Sequence, residues 1–307
     1  MIKSIAAISY ADERLELTLN DPYEDGIAVL NVDGIGPAKA TIHTSSIASN
    51  DGDAFNGARV GGRNISLTLG LLTQPDVERA RHKLYRIFQP SREVCLEFHT
   101  DYRHLHIKGW VESIDPVIFT EKEEVAISII CPDPFFHGLG ASRYEVFPFQ
   151  LDEPNMEFEF QDPTPTSPTI EISKRKSESE TLIEYSGDAE TGVTITVAAT
   201  GTVKDFSIWN RFTGEKFYVD TKYFDRIGQK TQLDKGDVVT ITSQQGNKHV
   251  TLRRAGTWNE INIIQCIPLN NDWLTIRPGR NVMYFQAKEG RDNMLVSLEV
   301  EVRYSGV

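Results

Sequence analysis

Apolar side chains recur at every second position through most of this sequence. The run RLELTLN (14–20) sets Leu15, Leu17 and Leu19 on one side, and GIAVLNV (26–32) and NISLTLGLL (64–72) follow the same rule. A period of two marks a strand with one dry face. One segment breaks it. In TQPDVERARHKLYRIFQP, Val77, Ala80, Leu84, Ile87 and Phe88 fall on a single stripe at helical spacing,. The pattern predicts one helix of roughly 14 residues lying on a sheet, with Thr73 as N-cap, Asp76 three residues on, Pro75 in the first turn and Pro90 as the stop,.

After the helix, EVCLEFHTDYRHLHIKGWVESIDPV and EKEEVAISIICPDPFF read as a three-stranded meander turning at HTDYR. Farther on, GVTITVAATG, FSIWNRFTGEKFYVD, DVVTITSQQGNKHVTLRR and LVSLEVEVRY are closely spaced strands with glycine-containing turns. In NDWLTIRPGRNVMYFQA (271–287), two strand-like runs flank Pro278 and Gly279, the signature of a tight turn, and a hairpin is expected there,. Strand–helix alternation is missing, which argues against a dinucleotide-binding sheet. The expected class is mainly β: an N-terminal β-sandwich carrying one packed helix, then a jelly-roll β-sandwich.

A length of 307 residues suits about two domains,. The proline-rich stretch 146–170 reads as a linker or sheet edge between a domain of residues 1–145 and one of 171–307,. Within the first domain, TIHTSSIASNDGDAFNGARVGGRN (41–64) is rich in Ser, Asn, Asp and Gly. It reads as a long polar loop, and such loops inside compact domains are usually functional.

Charge narrows the function. There are 44 acids against 32 bases and a formal net charge of −12. A surface that grips nucleic acid by neutralising phosphates is not expected from that balance. Cys95, Cys131 and Cys266 show no CxxC spacing, and each sits in or after an apolar run, so buried free thiols are expected,. The opening MIKSIAAISYADE has too short an apolar core for an export signal,. No apolar run approaches the ~20 residues of a membrane span, and a soluble protein is expected.

The candidate chemistry is thin. His104 and His106 share a strand face, with His99 across the turn and Asp101 nearby, as in some zinc sites,. Beside Arg103 and Lys108, the plainer reading is a solvent-facing stripe of a hairpin. Asp51 and Asp53 begin like a calcium loop, but Arg59, Gly61 and Arg63 stand where further ligands belong, so a turn is expected,. No nucleophile elbow or Walker loop occurs, and GIGPAK (34–39) lacks the spacing,. No catalytic, cofactor or metal residue is assigned, and no enzyme is expected. Trp209, Trp258 and Trp273 suit packing inside a sandwich, while Trp258 and Trp273 are the candidates for stacking on a sugar ring,.

Several segments in order carry a family resemblance. They are DGIGPAKATIHTSSIASNDGDAFNGARVGGRNISLTLGLL with the helix after it, SIICPDPFFHG, IWNRFTGEKFYVD, KGDVVTITSQQGNKHVTL, NDWLTIRPGRNVMYFQA and VEVRYSGV. Together they resemble the distal tail protein (Dit) family of long-tailed, siphovirus-type phages over nearly the whole chain. The resemblance implies a structural adaptor of the tail tip or baseplate. Its first domain would form a homo-hexameric ring, and its second would be a galectin-like β-sandwich. The partners it implies are the tail tube protein and the tail-tip hub bearing a tail-associated lysin or fibre. It also implies synthesis in the host cytoplasm and residence at the virion tail tip, with no membrane, no cofactor and no specific nucleic-acid binding. Six copies at −12 would carry −72, a field that discourages phosphate from sticking as DNA passes through the lumen,. A contact that closes by rotation needs one patch reaching into a different one. The polar loop is the candidate reaching element, with Thr44, Asp51, Asp53, Phe55, Arg59 and Arg63 as candidate inter-subunit residues. The alternative function is a host cell-surface carbohydrate-binding module.

Overall fold

The structure is a computed structural model that describes residues 1–19, 21–22, 26–46, 51–72, 76–120, 123–149 and 180–307. The chain divides into two compact units. Unit 1 takes Met1–Arg143, Gly187–Ala189 and Val302–Val307; unit 2 takes Tyr144–Ser186 and Glu190–Glu301. Most of the proline-rich stretch, from residue 150 on, lies outside the described residues.

Unit 1 runs through β1 (Ile2–Ser9), β2 (Arg14–Thr18), β3 (Ile27–Asp33), β4 (Ala40–Ser46), β5 (Asp53–Val60) and β6 (Arg63–Leu71). Helix α1 (Val77–Ile87) follows, then β7 (Glu93–Thr100), β8 (His104–Val117), β9 (Glu123–Cys131) and β10 (Phe136–Gly138). The main sheet has the order β2-β1-β7-β8-β9-β6-β3, and β7, β8 and β9 form the antiparallel meander that the alternation predicts. The sheet curls: its end strands β2 and β3 meet, and α1 touches both β1 and β6. The main sheet of the first unit is therefore curled, and its dry face encloses Leu15, Leu67, Leu96, Ile107 and Ile127 with Leu84 and Phe88 from the helix side. Burying such side chains contributes about 1.5–3 kcal/mol each. The helix is shorter at its start than the expected span. Asp76 is the cap, accepting from the Glu78 and Arg79 amides at 3.0 and 3.3 Å, while Thr73 and Pro75 lie outside the described residues.

Unit 2 holds β11 (Tyr144–Pro148), β12 (Glu180–Tyr185), β13 (Thr191–Ala199), β14 (Lys204–Asn210), β15 (Lys216–Val219) and β16 (Val238–Thr242). It continues with β17 (His249–Arg253), β18 (Glu260–Asn262), β19 (Thr275–Ile276), β20 (Gly279–Glu289) and β21 (Met294–Glu301). The last strand, β22 (Arg303–Tyr304), belongs to unit 1 and pairs with β10. Two sheets form in unit 2, β11-β21-β13-β16-β17-β18 with β19 added on β13, and β12-β20-β14-β15. Alternate residues of both sheets are buried, among them Ile195, Val239 and Leu298 from one and Ile183, Phe206 and Phe285 from the other. That is the expected β-sandwich.

The tight turn at Pro278–Gly279 corrects an expectation. Its flanking runs do not pair with each other: β19 lies on β13, whereas β20 lies between β12 and β14. The turn carries the chain from one sheet to the other. Gly279 has the expected φ of 84°. Two fully buried amides do what a ladder would otherwise do. The Asn281 Oδ1 accepts from the Arg277 amide at 3.2 Å and from Asn210 Nδ2 at 3.3 Å. Its Nδ2 donates to the carbonyls of Arg277 at 2.7 Å and Gly279 at 3.2 Å, and Asn210 Nδ2 also reaches the Thr275 carbonyl at 2.9 Å. Buried polar groups need such partners, and here side chains supply them.

Candidate assembly interface

The segment expected to be a long loop is a hairpin. β4 and β5 pair antiparallel from Ala40–Val60 to Ser46–Asp53, with a register shift between His43 and Thr44. The sequence hides it because both faces are wet: Thr41, Ile42 and Thr44 favour strands, but polar residues occupy the positions on either side,. Every residue of β4 is exposed, as are all but two of β5. Ile42 is 55% and Phe55 67% exposed. Among the described residues the arms carry light side-chain ties, Thr44 to Asp53 and Ser45 to Asn56, both 3.4 Å. A lone two-stranded hairpin is marginally stable in water. One that also holds Ile42, Phe55 and Val60 in solvent is an element suited to being covered.

The root of the hairpin is built differently. Arg63, the first residue of β6, is 6% exposed and donates from Nη1 to the Gly34 and Gly36 carbonyls at 3.0 and 2.9 Å. Its Nη2 donates to the Ser305 carbonyl at 2.8 Å, and the guanidinium lies 4.5 Å from the Phe136 ring centre. Burial lowers its pKa, with the charges of Cys131 and Asp133 opposing; arginine stays protonated regardless. Gly34, at φ 84°, packs so closely that a Cβ would stand 2.1 Å from the Asn64 carbonyl oxygen. The strand entering the hairpin and the strand leaving it are thus pinned to one frame. Arg63 is corrected here from a reaching residue to an anchoring one. Thr44, Asp53, Phe55 and Arg59 lie exposed on the arms, and Asp51 is exposed just before β5.

The other candidates separate. Trp258 is 90% exposed on the β17–β18 connection. Trp273 is half-buried, 5.4 Å from the Phe217 ring with the Lys248 ammonium 5.4 Å from its own centre, so that ring is already engaged. Trp209 is also half-buried, between Tyr284 and Lys216. His99 and His104 do meet, Nδ1 to Nδ1 at 3.0 Å, while His106 faces His137, a partner the sequence pattern did not single out. Among the described residues no group of three or more His, Cys, Asp or Glu is placed to hold a metal ion. Cys131 and Cys266 are buried, Cys95 half-buried, and all three are free thiols. Burial pushes the Cys95 and Cys131 thiols up to about 11. No helix among the described residues is long and apolar enough to cross a membrane.

Comparison with known proteins bears on the whole arrangement. Residues 186–304 match the family described as siphovirus-type tail component, C-terminal domain. The fold is similar to the crystal structure of the SPP1 Dit (gp 19.1) protein, described as a paradigm of hub adsorption apparatus in phages infecting Gram-positive hosts. That likeness has a TM-score of 0.62 at 12% identity, covering 97% of this chain and 98% of the other. A chain of the phage P2 baseplate in its activated conformation with Ca aligns over 100% of both chains at 8% identity and a TM-score of 0.44. No curated protein sequence matches.

Proposed function

We propose that the chain is a siphovirus-type distal tail component and that its first unit closes into a ring of six identical copies between the tail tube and the tail-tip hub; the match of residues 186–304 to a siphovirus-type tail component domain and the likeness to the SPP1 Dit fold support this reading. The observation that carries this reading is the β4–β5 hairpin, wet on both faces, with Ile42 and Phe55 exposed along its arms, and rooted on a buried arginine. A contact of one surface with a different surface on the next copy propagates by rotation and closes when the rotation divides the circle. The hairpin is the reaching surface, and Thr44, Asp53, Phe55 and Arg59 are its contact residues. A rigid root matters because a ring needs the same angle at every step; Gly34 and Arg63 supply that rigidity. The protein acts as a structural adaptor in the virion tail, carrying load and fixing symmetry, with no chemistry of its own.

Sedimentation of the intact protein and of a variant with residues 41–60 replaced by a short Gly-Ser link tests this. The intact chain at micromolar concentration should reach the mass of six copies, and the shortened chain should stay a single copy with unit 2 unfolding unchanged. Assembly of the shortened chain to the same mass would show that the hairpin is not the reaching element.

A further inference from the structure

Asn56 and Gly57 make the one Asn-Gly pair in the sequence, and they lie in β5. The pairing of the two arms skips there. His43 faces Gly57 and Thr44 faces Phe55, which leaves Asn56 as the extra residue of a β-bulge,. Its side chain is exposed, and the Ser45 hydroxyl reaches its amide oxygen at 3.4 Å, too long a contact to hold it firmly,. Gly57 brings no side chain of its own, and a Cβ built on it would meet nothing within 4 Å. The Asn56 amide is therefore free to turn toward an unscreened backbone nitrogen.

Place in the fold matters as much as the dipeptide. Asn281 engages both amide atoms: its Oδ1 accepts from the Arg277 backbone and Asn210, and its Nδ2 donates to the Arg277 and Gly279 carbonyls. Asn271 donates to the Tyr218 carbonyl at 2.6 Å and accepts from the Tyr218 amide at 3.0 Å. The next residues, Val282 and Asp272, also shield their nitrogens with side chains. Ring closure further requires a strand to leave its extended path. In β4–β5 that departure costs little, because a two-stranded pair without a buried face is marginal and opens locally,.

We propose that Asn56–Gly57 is a site of spontaneous deamidation, active in single copies and closed when a neighbouring copy covers the hairpin; the closure rests on the ring proposed above. The Gly57 nitrogen gives its proton to hydroxide and bonds to Asn56 Cγ. The Cγ–Nδ2 bond breaks, and Nδ2 leaves as ammonia with a proton from water. Water then opens the succinimide. Breaking the new bond at Cγ leaves aspartate, and breaking the bond at the Asn56 carbonyl carbon leaves isoaspartate, whose main chain runs through Cγ. The sum is one water in and one ammonia out, with nothing oxidised or reduced. Either product adds a negative charge to an arm that already holds Asp53. Isoaspartate also lengthens β5 between Phe55 and Arg59, two of the proposed contact residues. Copies left unassembled lose their reaching surface with time, and rings are built from fresh chains.

Peptide mapping by mass spectrometry, on protein held for days at pH 8, tests the site. Folded single copies, kept so by dilution and by Phe55→Asp, are compared with the same chains unfolded in urea. Asn56 should convert before any other asparagine, giving aspartate and isoaspartate, and the folded rate should stay within severalfold of the rate in urea. In Asn56→Gln, whose longer side chain would have to close a larger ring, the amide should survive and assembly should not change with age. Wild-type chains aged as single copies should assemble severalfold less than fresh ones when concentrated. Folding that protects Asn56 as strongly as Asn281 would overturn the site, as would earlier conversion elsewhere in the folded chain. Full assembly after conversion at Asn56 would overturn its consequence. A fresh wild-type chain that never assembles removes the ring alone, and the mapping still decides the site.

Discussion

The β4–β5 hairpin and the corner at residues 275–281 use similar residues for opposite ends. Both rely on asparagine, glycine and threonine, and both change the direction of the chain. In the hairpin, Thr44, Ser45, Asp53 and Asn56 bond weakly to one another in full contact with water. In the corner, Asn210 and Asn281 are 0% exposed and bond to backbone groups on both sides of a sheet switch. An exposed polar group always has water as an alternative partner, so its bond adds little net stability. A buried one has none, so losing the bond leaves its partner stranded. The corner accordingly contributes stability, and the polar ties of the arm contribute little of it.

Substitutions can break or sharpen that contrast. Asn281→Ala strands the Arg277 amide and carbonyl and should cost unit 2 about 3–4 kcal/mol in denaturant titrations followed by tryptophan emission,. Arg63→Met keeps the bulk over Phe136 but leaves the Gly34, Gly36 and Ser305 carbonyls unpaired; a loss of about 2–3 kcal/mol in unit 1 is expected from the same experiment,. Trp273→Ala should cost about 2 kcal/mol through its packing on Phe217, against less than about 0.5 kcal/mol for the open Trp258→Ala,. Phe55→Asp should likewise shift stability by less than about 0.5 kcal/mol while abolishing self-association in sedimentation,. The smallest effect is expected from thiol reagents. At pH 8 the buried Cys131 thiol, pushed up to about 11, should label only as the chain unfolds; labelling at the rate of a free cysteine would contradict its burial,.

The sequence made the dry faces legible and the wet ones illegible. Leu15, Leu67, Leu96 and Ile195 alternate with polar neighbours, and their strands stand where the alternation places them. The helix followed from its stripe, though its cap is Asp76: both Thr73 and Asp76 can cap, and aspartate is the stronger of the two,. Residues 40–60 escaped recognition as strands because neither face is buried, so no hydrophobic period exists to read. Arg63 looked like part of that polar segment, and nothing in its neighbours signals that Gly34, Gly36 and Ser305 converge on it from elsewhere in the chain. Pro278–Gly279 announced a turn correctly, but turn chemistry is local and does not say whether the two strands share a sheet. His137 lies 31 positions beyond His106, so its place in the histidine cluster depended on the β8–β10 pairing, which is a property of the fold.

The proposed ring is built by a hairpin whose strands lie exposed among the described residues. Electron microscopy of the purified protein, with class averages examined for rotational symmetry, tests it most directly. Annular particles with sixfold symmetry, absent from preparations of the hairpin-shortened chain, are the predicted result. Single copies at every concentration, even with tail tube or hub protein added, would contradict it.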